Sequence, residues 1–172
     1  GDCAATKDGT VHGVITGADV AISGDPAAAA ELARGAPDVQ SVVHSHSPDV
    51  IPFGVTGTSL QPVFHMSGFL AEGSALFEIR DVAGDTDMLI SNASLGVALA
   101  AALGSRSTVL MRGHGSTVVG ASLEQAVYRA IYAEVNARLQ TQARQLGEVT
   151  YLNANEAAKA AATNDTQLPR VW

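Results

Sequence analysis

Imidazoles are the side chains in this sequence best placed to hold a metal, and two of the five histidines are separated by a single residue. His44-Ser45-His46 closes a short β-branched run, Val39 to His44, that reads as a buried strand. In a strand, residues i and i+2 face the same side, so the two rings lie together and can share one ion. A third histidine, His114, sits in Arg112-Gly113-His114-Gly115 at the end of another such run. The flanking glycines let backbone approach closely and leave room beside the ring. Three neutral nitrogens and one open position make the usual catalytic zinc arrangement, with the open position free for a substrate hydroxyl or carbonyl. A surface His-X-His pair and an unrelated loop histidine would give the same letters. The residues alone therefore leave both readings open.

The elements that must position these rings can be read along the chain. Gly1 to Gly24 reads as short strands and turns around Thr10–Val11, Val14–Thr16 and Val20–Ile22. Asp25-Pro26 before an alanine run starts a helix that Gly35 stops, with Asp25 as cap and Pro26 at the first helical position. Ser47 to Gly57 is a loop with a short helical turn around Pro48 to Phe53. Gln61 to Phe69 is mixed, and Leu76 to Ile79 is a strand. Asn92 to Leu103 is a helix ending at Gly104. Thr108 to Met111 is a strand, and Ser116 to Val119 continues extended. Leu123 to Leu146 is a long helix stopped by Gly147, and Ser122 with Gln125 predicts a capping box at its start. Thr150 to Leu152 is extended, and Asn155 to Ala162 is a last helix. Strands and helices mix without regular βα alternation. That pattern favours an α/β sandwich with a mixed or antiparallel sheet over a doubly wound fold.

Bulk properties narrow the function further. The 172 residues suffice for a single domain, 1–172, with a sizeable core. A formal net charge of −7 and dispersed Lys and Arg argue against a nucleic-acid partner. No apolar stretch reaches the length of a membrane span, and no signal peptide is evident. The only cysteine, Cys3, cannot form an intrachain disulfide and fits a reducing compartment. The expectation is a cytoplasmic protein acting on a small molecule.

The segment Pro37-Asp38-Val39-Gln40-Ser41-Val42-Val43-His44-Ser45-His46-Ser47 resembles the class II aldolase/adducin family. Arg112-Gly113-His114-Gly115 fits that family's third histidine, 68 residues after His46. Ser122-Leu123-Glu124-Gln125-Ala126 and the long helix are similar as well, so the likeness runs from about Asp25 to Glu156. The resemblance implies a three-layer α/β/α sandwich with a central, largely antiparallel sheet. It implies a homotetramer with active sites at subunit interfaces. It also implies a divalent metal on His44, His46 and His114, zinc first, with Mn2+ or Fe2+ as alternatives.

Two departures bear on the activity. The family's aldolases carry an acid/base glutamate nineteen residues before the first metal histidine. Here that position holds Asp25, which serves either as the acid/base or as a plain helix cap. The Gly-Asn-x-Ser half-motif of phosphate-binding members is missing, and the chain is shorter than most members on its N-terminal side. The run Ser45 to Val55 and then Pro62-Val63-Phe64-His65-Met66 looks more like the branch of hydroxylated aromatic acid decarboxylases. The resemblance therefore implies a metal-dependent carbon–carbon lyase that stabilises an enolate-type intermediate. Its substrate is a hydroxylated aromatic acid (decarboxylation) or a small hydroxy-carbonyl compound (aldol cleavage). A retro-aldol epimerase, a metal-dependent oxygenase and a non-enzymatic adducin-like module are the alternatives.

Asp25 or His65 would return the proton to carbon. Arg112 would pair with a substrate carboxylate, or else form a structural salt bridge. Ser47 and Thr56 are loop hydroxyls that could orient substrate. Phe53, Phe64, Met66 and Phe69 either line an aromatic pocket or fill the core. Ser45 is expected to face away from the two histidines. Tyr128 and Tyr132 share a helical face for packing or an interface.

Overall fold

The computed structural model describes residues 4–6, 11–12 and 39–171, the first two groups as backbone only. The expected helix after Pro26, together with Asp25, lies outside the described residues. So do most of the short strands expected before Gly24.

Six strands form one sheet: β1 (Ala4–Thr6), β2 (Val11–His12), β3 (Ser41–Ser45), β4 (Ala75–Phe77), β5 (Thr108–Met111) and β6 (Gly115–Gly120), in the order β2-β1-β3-β6-β5-β4. Only the β4–β5 pair is parallel, so the sheet is largely antiparallel as expected. β5 and β6 are joined by a tight connection at Arg112–His114, and β6 then runs back between β5 and β3.

The helices are α1 (Ile51–Thr56), α2 (Arg80–Ala83), α3 (Ala93–Leu103), α4 (Leu123–Leu146), α5 (Ala154–Asp165) and α6 (Leu168–Val171), with a 3-10 helix at His65–Leu70. Alternation along the strands separates two apolar layers. Val42, Val109, Met111 and Val119 pack with Leu95, Leu99 and Leu103 of α3. Val43 and Val118 face Ala126 and Ala130 of α4, while Leu110 meets Ala133 and Ala137. Those four alanines recur at helical spacing, so α4 can lie close against the sheet. Helices on both faces make the three-layer arrangement.

Local capping explains where the helices begin. The Asn92 side chain accepts the Leu95 N–H at the start of α3, and Ser122 accepts the Gln125 N–H at the start of α4. The expected reciprocal half of the α4 box falls one residue early: Gln125 Oε1 accepts from the Ala121 N–H at 2.7 Å. A full capping box appears instead at Asn153 and Glu156, and α5 runs longer than expected. Thr150–Leu152 forms no strand. It is tied to the rest of the fold by the Leu152 N–H, which donates to the Pro62 carbonyl, and by the Tyr151 hydroxyl, which accepts from Gln140 Nε2.

One feature was not legible in advance. Asn136 and Gln140, both buried on α4, bond the irregular chain at Ser59–Val63. Asn136 accepts from the Val63 N–H and donates to the Gln61 carbonyl. Gln140 accepts from the Gln61 N–H and donates to the Ser59 carbonyl. A segment outside the sheet thereby satisfies its buried backbone groups.

Candidate metal centre

The ladder between β3 and β6 sets His44 opposite Thr117 and Ser45 opposite Ser116. Pairing of Met111 with Gly115 closes the connection that carries His114, whose N–H donates to the Met111 carbonyl at 3.0 Å. The glycines around His114 have separate tasks. Gly113 has φ +68°, a left-handed turn conformation. A Cβ on Gly115 would sit 2.0 Å from the Ser45 carbonyl oxygen, so only glycine lets the two backbones come this near. The result is a cluster of three rings with centroids 4.9 Å (His44–His46), 4.7 Å (His44–His114) and 4.8 Å (His46–His114) apart. One nitrogen from each lies within 4.8 Å of the others.

The site favours the neutral form of His44 and of His114. Burial pushes His44 down to about 3, and the neighbouring His114 and His46 add to the shift. His114 is lowered by burial and by His46, against the Met88 carbonyl and Asp87, which favour its charged form. A proton is thereby kept off the lone pairs that a metal needs. Thr117 Oγ1 donates to Met111 Sδ at 3.3 Å and lies 3.4 Å from His44 Nδ1. That contact is made at Nδ1, so Nε2 is the His44 nitrogen left without a partner.

His44 Nε2, His46 Nε2 and both ring nitrogens of His114 are buried without a hydrogen-bond partner. Buried polar atoms normally find partners, and several orphans gathered at one place call for an explanation. A divalent cation satisfies them, and an all-imidazole donor set suits zinc-type chemistry. The trio expected from sequence is thus brought together and is able to bind a divalent metal.

The other candidates sit differently. Arg112 has a partner the sequence did not name. Its Nε donates to Glu78 Oε2, and its Nη2 approaches Met88 Sδ at 3.8 Å. Arg80 and Arg112 together hold the Glu78 carboxyl down at about 2. The salt-bridge alternative for Arg112 is the arrangement seen. Ser47 is 2% exposed and its Oγ has no partner, so contact with a substrate would require the loop to open. Ser45 bonds Ser116 on the α4 side of the sheet, away from the rings, as expected.

His65 is exposed at the start of the 3-10 helix, with its ring against Phe64. It lines a cleft of about 630 Å³ with Met66, Tyr128, Tyr132, Asn164 and Leu168. That cleft is built on α4 and the C-terminal helices, a different neighbourhood from the trio. Phe53 is core, buried with Leu60 and Leu110, and Phe69 packs on the same cluster. Tyr128 and Tyr132 do share a face, with ring centroids 4.7 Å apart, and the Tyr128 hydroxyl donates to the Met66 carbonyl. Thr56 Oγ1 donates to the Pro52 carbonyl inside α1.

This fold with three converging histidines defines a class, and comparison with known proteins confirms it. The model of the class II aldolase and adducin N-terminal domain matches residues 14–141, and the chain belongs to that family. Among individual proteins, it is similar to the decarboxylase tropJ of Talaromyces stipitatus, 44% identical over 122 residues (64% of this chain, 46% of that protein). It is also similar to 3,4-dihydroxyphthalate decarboxylase of Arthrobacter keyseri, 36% identical over 121 residues (68% of this chain, 46% of that protein). The chain therefore spans about half the length of the curated relatives it matches. Among solved structures, L-fuculose 1-phosphate aldolase from Glaciozyma antarctica superposes with a TM-score of 0.60 at 21% identity, covering 91% of this chain and 57% of that one. An aldolase II superfamily protein from Pseudomonas syringae gives 0.63 at 21% identity, covering 90% of this chain and 65% of that one. At these identities the likeness is one of fold.

Proposed function

We propose that this protein is a metal-dependent carbon–carbon lyase, and specifically a decarboxylase of a hydroxylated aromatic acid. The observation that carries the reading is the convergence of His44, His46 and His114 with unpartnered buried nitrogens. The likeness to aromatic-acid decarboxylases supplies the substrate class.

His44, His46 and His114 would hold a divalent ion, zinc by the character of the donors, and that ion would supply Lewis acidity toward adjacent substrate oxygens. The chain's own residues do the rest. Burial first, and then the neighbouring imidazoles, favour the neutral form of His44 and His114. Thr117 orients His44. The Arg112 guanidinium, two residues from His114, adds positive potential near an incoming carboxylate even while Glu78 holds it. Asp25 is the proposed acid that returns a proton to carbon. His65 lies in a different cleft from the trio, and a neighbouring copy in an assembly with shared sites is the route by which it would take that role. A homotetramer is the state the family resemblance favours, and the lone Cys3 fits the cytoplasm. No helix among the described residues is long and apolar enough to cross a membrane.

The test pairs metal content with product. Elemental analysis of the purified protein should find about one divalent ion per chain, absent in His46→Ala. Zinc-loaded protein should release carbon dioxide from an ortho-hydroxylated aromatic acid, and His46→Ala should not. An aldehyde product without carbon dioxide would replace decarboxylation by aldol cleavage. No metal uptake and no product would refute the lyase reading.

A further inference from the structure

A second polar cavity lies at the other end of β3 and β6 from the three histidines. Ser45 pairs with Ser116 at the histidine end, and Ser41 pairs with Gly120 at the far end. At about 3.3 Å per residue the two ends are roughly 13 Å apart. The cavity, about 570 Å³, is bordered by the end of the 3-10 helix, the connection from α3 to β5, Gly120 and the start of α4.

Arg129 lines it from α4. Its Nη1 donates to the Val119 carbonyl at 2.8 Å, while its Nε is sealed from solvent with no hydrogen-bond partner. Among the described residues no carboxylate lies within ion-pair distance of it. Burial disfavours its charge, and Asp165 favours the charge only from farther away. Buried donors and buried charges are ordinarily paired, so this half-buried guanidinium lacks the partner its chemistry demands.

One turn earlier on the same face of α4, Gln125 lines the same cavity. Its Oε1 accepts the Ala121 N–H at 2.7 Å, and its Nε2 has no acceptor among the described residues. Arg106 and Glu72, also in the lining, offset each other in charge. Arg106 Nε donates to the Glu72 carbonyl at 3.4 Å, and the Glu72 carboxylate accepts from Ser105 Oγ at 2.9 Å. What remains uncompensated is one guanidinium and one amide, both donors and one positively charged. An oxyanion answers both, taking charge-assisted bonds from Arg129 and a neutral one from Gln125. A cavity of this volume holds a small organic molecule and not just a bare ion.

We propose that this cavity is a second binding site, for the carboxylate or phosphate group of a small organic anion, with Arg129 as its charged anchor and Gln125 as its neutral donor. The site stands apart from the metal centre and does not rest on the lyase reading.

Inorganic phosphate and acetate are the probes, titrated by calorimetry into the purified protein at constant ionic strength. Arg129→Met removes the guanidinium and keeps most of the bulk. Gln125→Glu keeps an acceptor for the Ala121 N–H and sets a carboxylate beside Arg129, so the chain supplies its own anion. His46→Ala disables the metal centre and leaves this cavity intact. The parent should bind at least one probe saturably, and His46→Ala should match it. Arg129→Met and Gln125→Glu should bind about tenfold more weakly or worse. Gln125→Glu should also melt higher than the parent in anion-free buffer, a readout that stands even if Arg129→Met fails to fold. Binding of phosphate alone would assign the site to phosphate esters, and binding of acetate would assign it to carboxylic acids. No binding of either probe by the parent would overturn the proposal. So would parental affinity in either cavity variant, or loss of binding in His46→Ala, which would put the anion on the metal centre.

Discussion

Truncating Asn136 should destabilise the protein far more than its polar character suggests. Its side chain is fully buried. It accepts from the Val63 N–H at 3.1 Å and donates to the Gln61 carbonyl at 2.9 Å, with Gln140 Oε1 a further 3.4 Å contact. Asn136→Ala leaves one backbone donor and one backbone acceptor dry and unpaired. Each orphan costs about 1–3 kcal/mol, so the expected loss is about 2–6 kcal/mol. Against a total stability of about 5–15 kcal/mol, that is a large fraction. Gln140→Ala should cost a similar amount, because Gln140 holds the Gln61 N–H and the Ser59 carbonyl. The two side chains serve the same strip of chain, so the double variant should fall short of the summed losses by about 0.5–3 kcal/mol. Urea denaturation of the parent, both single variants and the double variant at neutral pH measures all three quantities. Zinc binding by folded Asn136→Ala should be unchanged, since the network braces Ser59–Val63 and not the histidines. An Asn136→Ala midpoint within about 0.5 kcal/mol of the parent would refute the reasoning, because water would then be reaching those backbone groups.

Two further outcomes follow from geometry and charge. Gly115→Ala forces a Cβ onto the Ser45 carbonyl, so β6 must shift from β3. The expected cost is about 1–3 kcal/mol together with weaker zinc binding; a variant with parental melting temperature and zinc affinity would contradict the close approach. Glu134 is pushed up to about 7, by burial first and then by Asp49, with Arg138 opposing. The folded state thus favours the protonated carboxyl, and a penalty for ionising it grows as pH rises from about 4.5 to about 7 and is constant above that. Glu134→Gln removes the penalty. It should match the parent near pH 4 and exceed it at pH 8 by about 1 kcal/mol, a figure reduced for solvent screening. Thermal melts across that range check it, and a gap that does not change with pH would count against the shift.

The elements that position the site were largely legible in the sequence, because their signals are local. Thr108–Met111 and Leu123–Leu146 have the boundaries read from β-branching, the Ser122 cap and Gly147. The two-residue period of His44-Ser45-His46 placed both rings on one face and Ser45 on the other. Local signals failed where a neighbour outside the segment decided the outcome. Thr150–Leu152 has strand letters but lies beside Pro62 with no strand to pair with. Arg112 reads equally as a substrate ligand and as half of a salt bridge, and only the fold supplies the ion partner, Glu78, 34 residues away.

The resemblance nominated His114 as the third ligand, and only the antiparallel register of β3, β6 and β5 carries it across the intervening chain to the other two. That register depends on which face each strand buries, and a one-residue slip would turn the rings away from each other. The pair Asn136 and Gln140 left no trace in the sequence pattern for the same reason. Their roles are set by backbone groups that reach them only after the layers have packed. The sequence by itself determined the ligand types, their spacing and the strands that bear them. The tertiary structure decided their meeting point, the burial that favours neutral His44 and His114, and the contacts that hold them there.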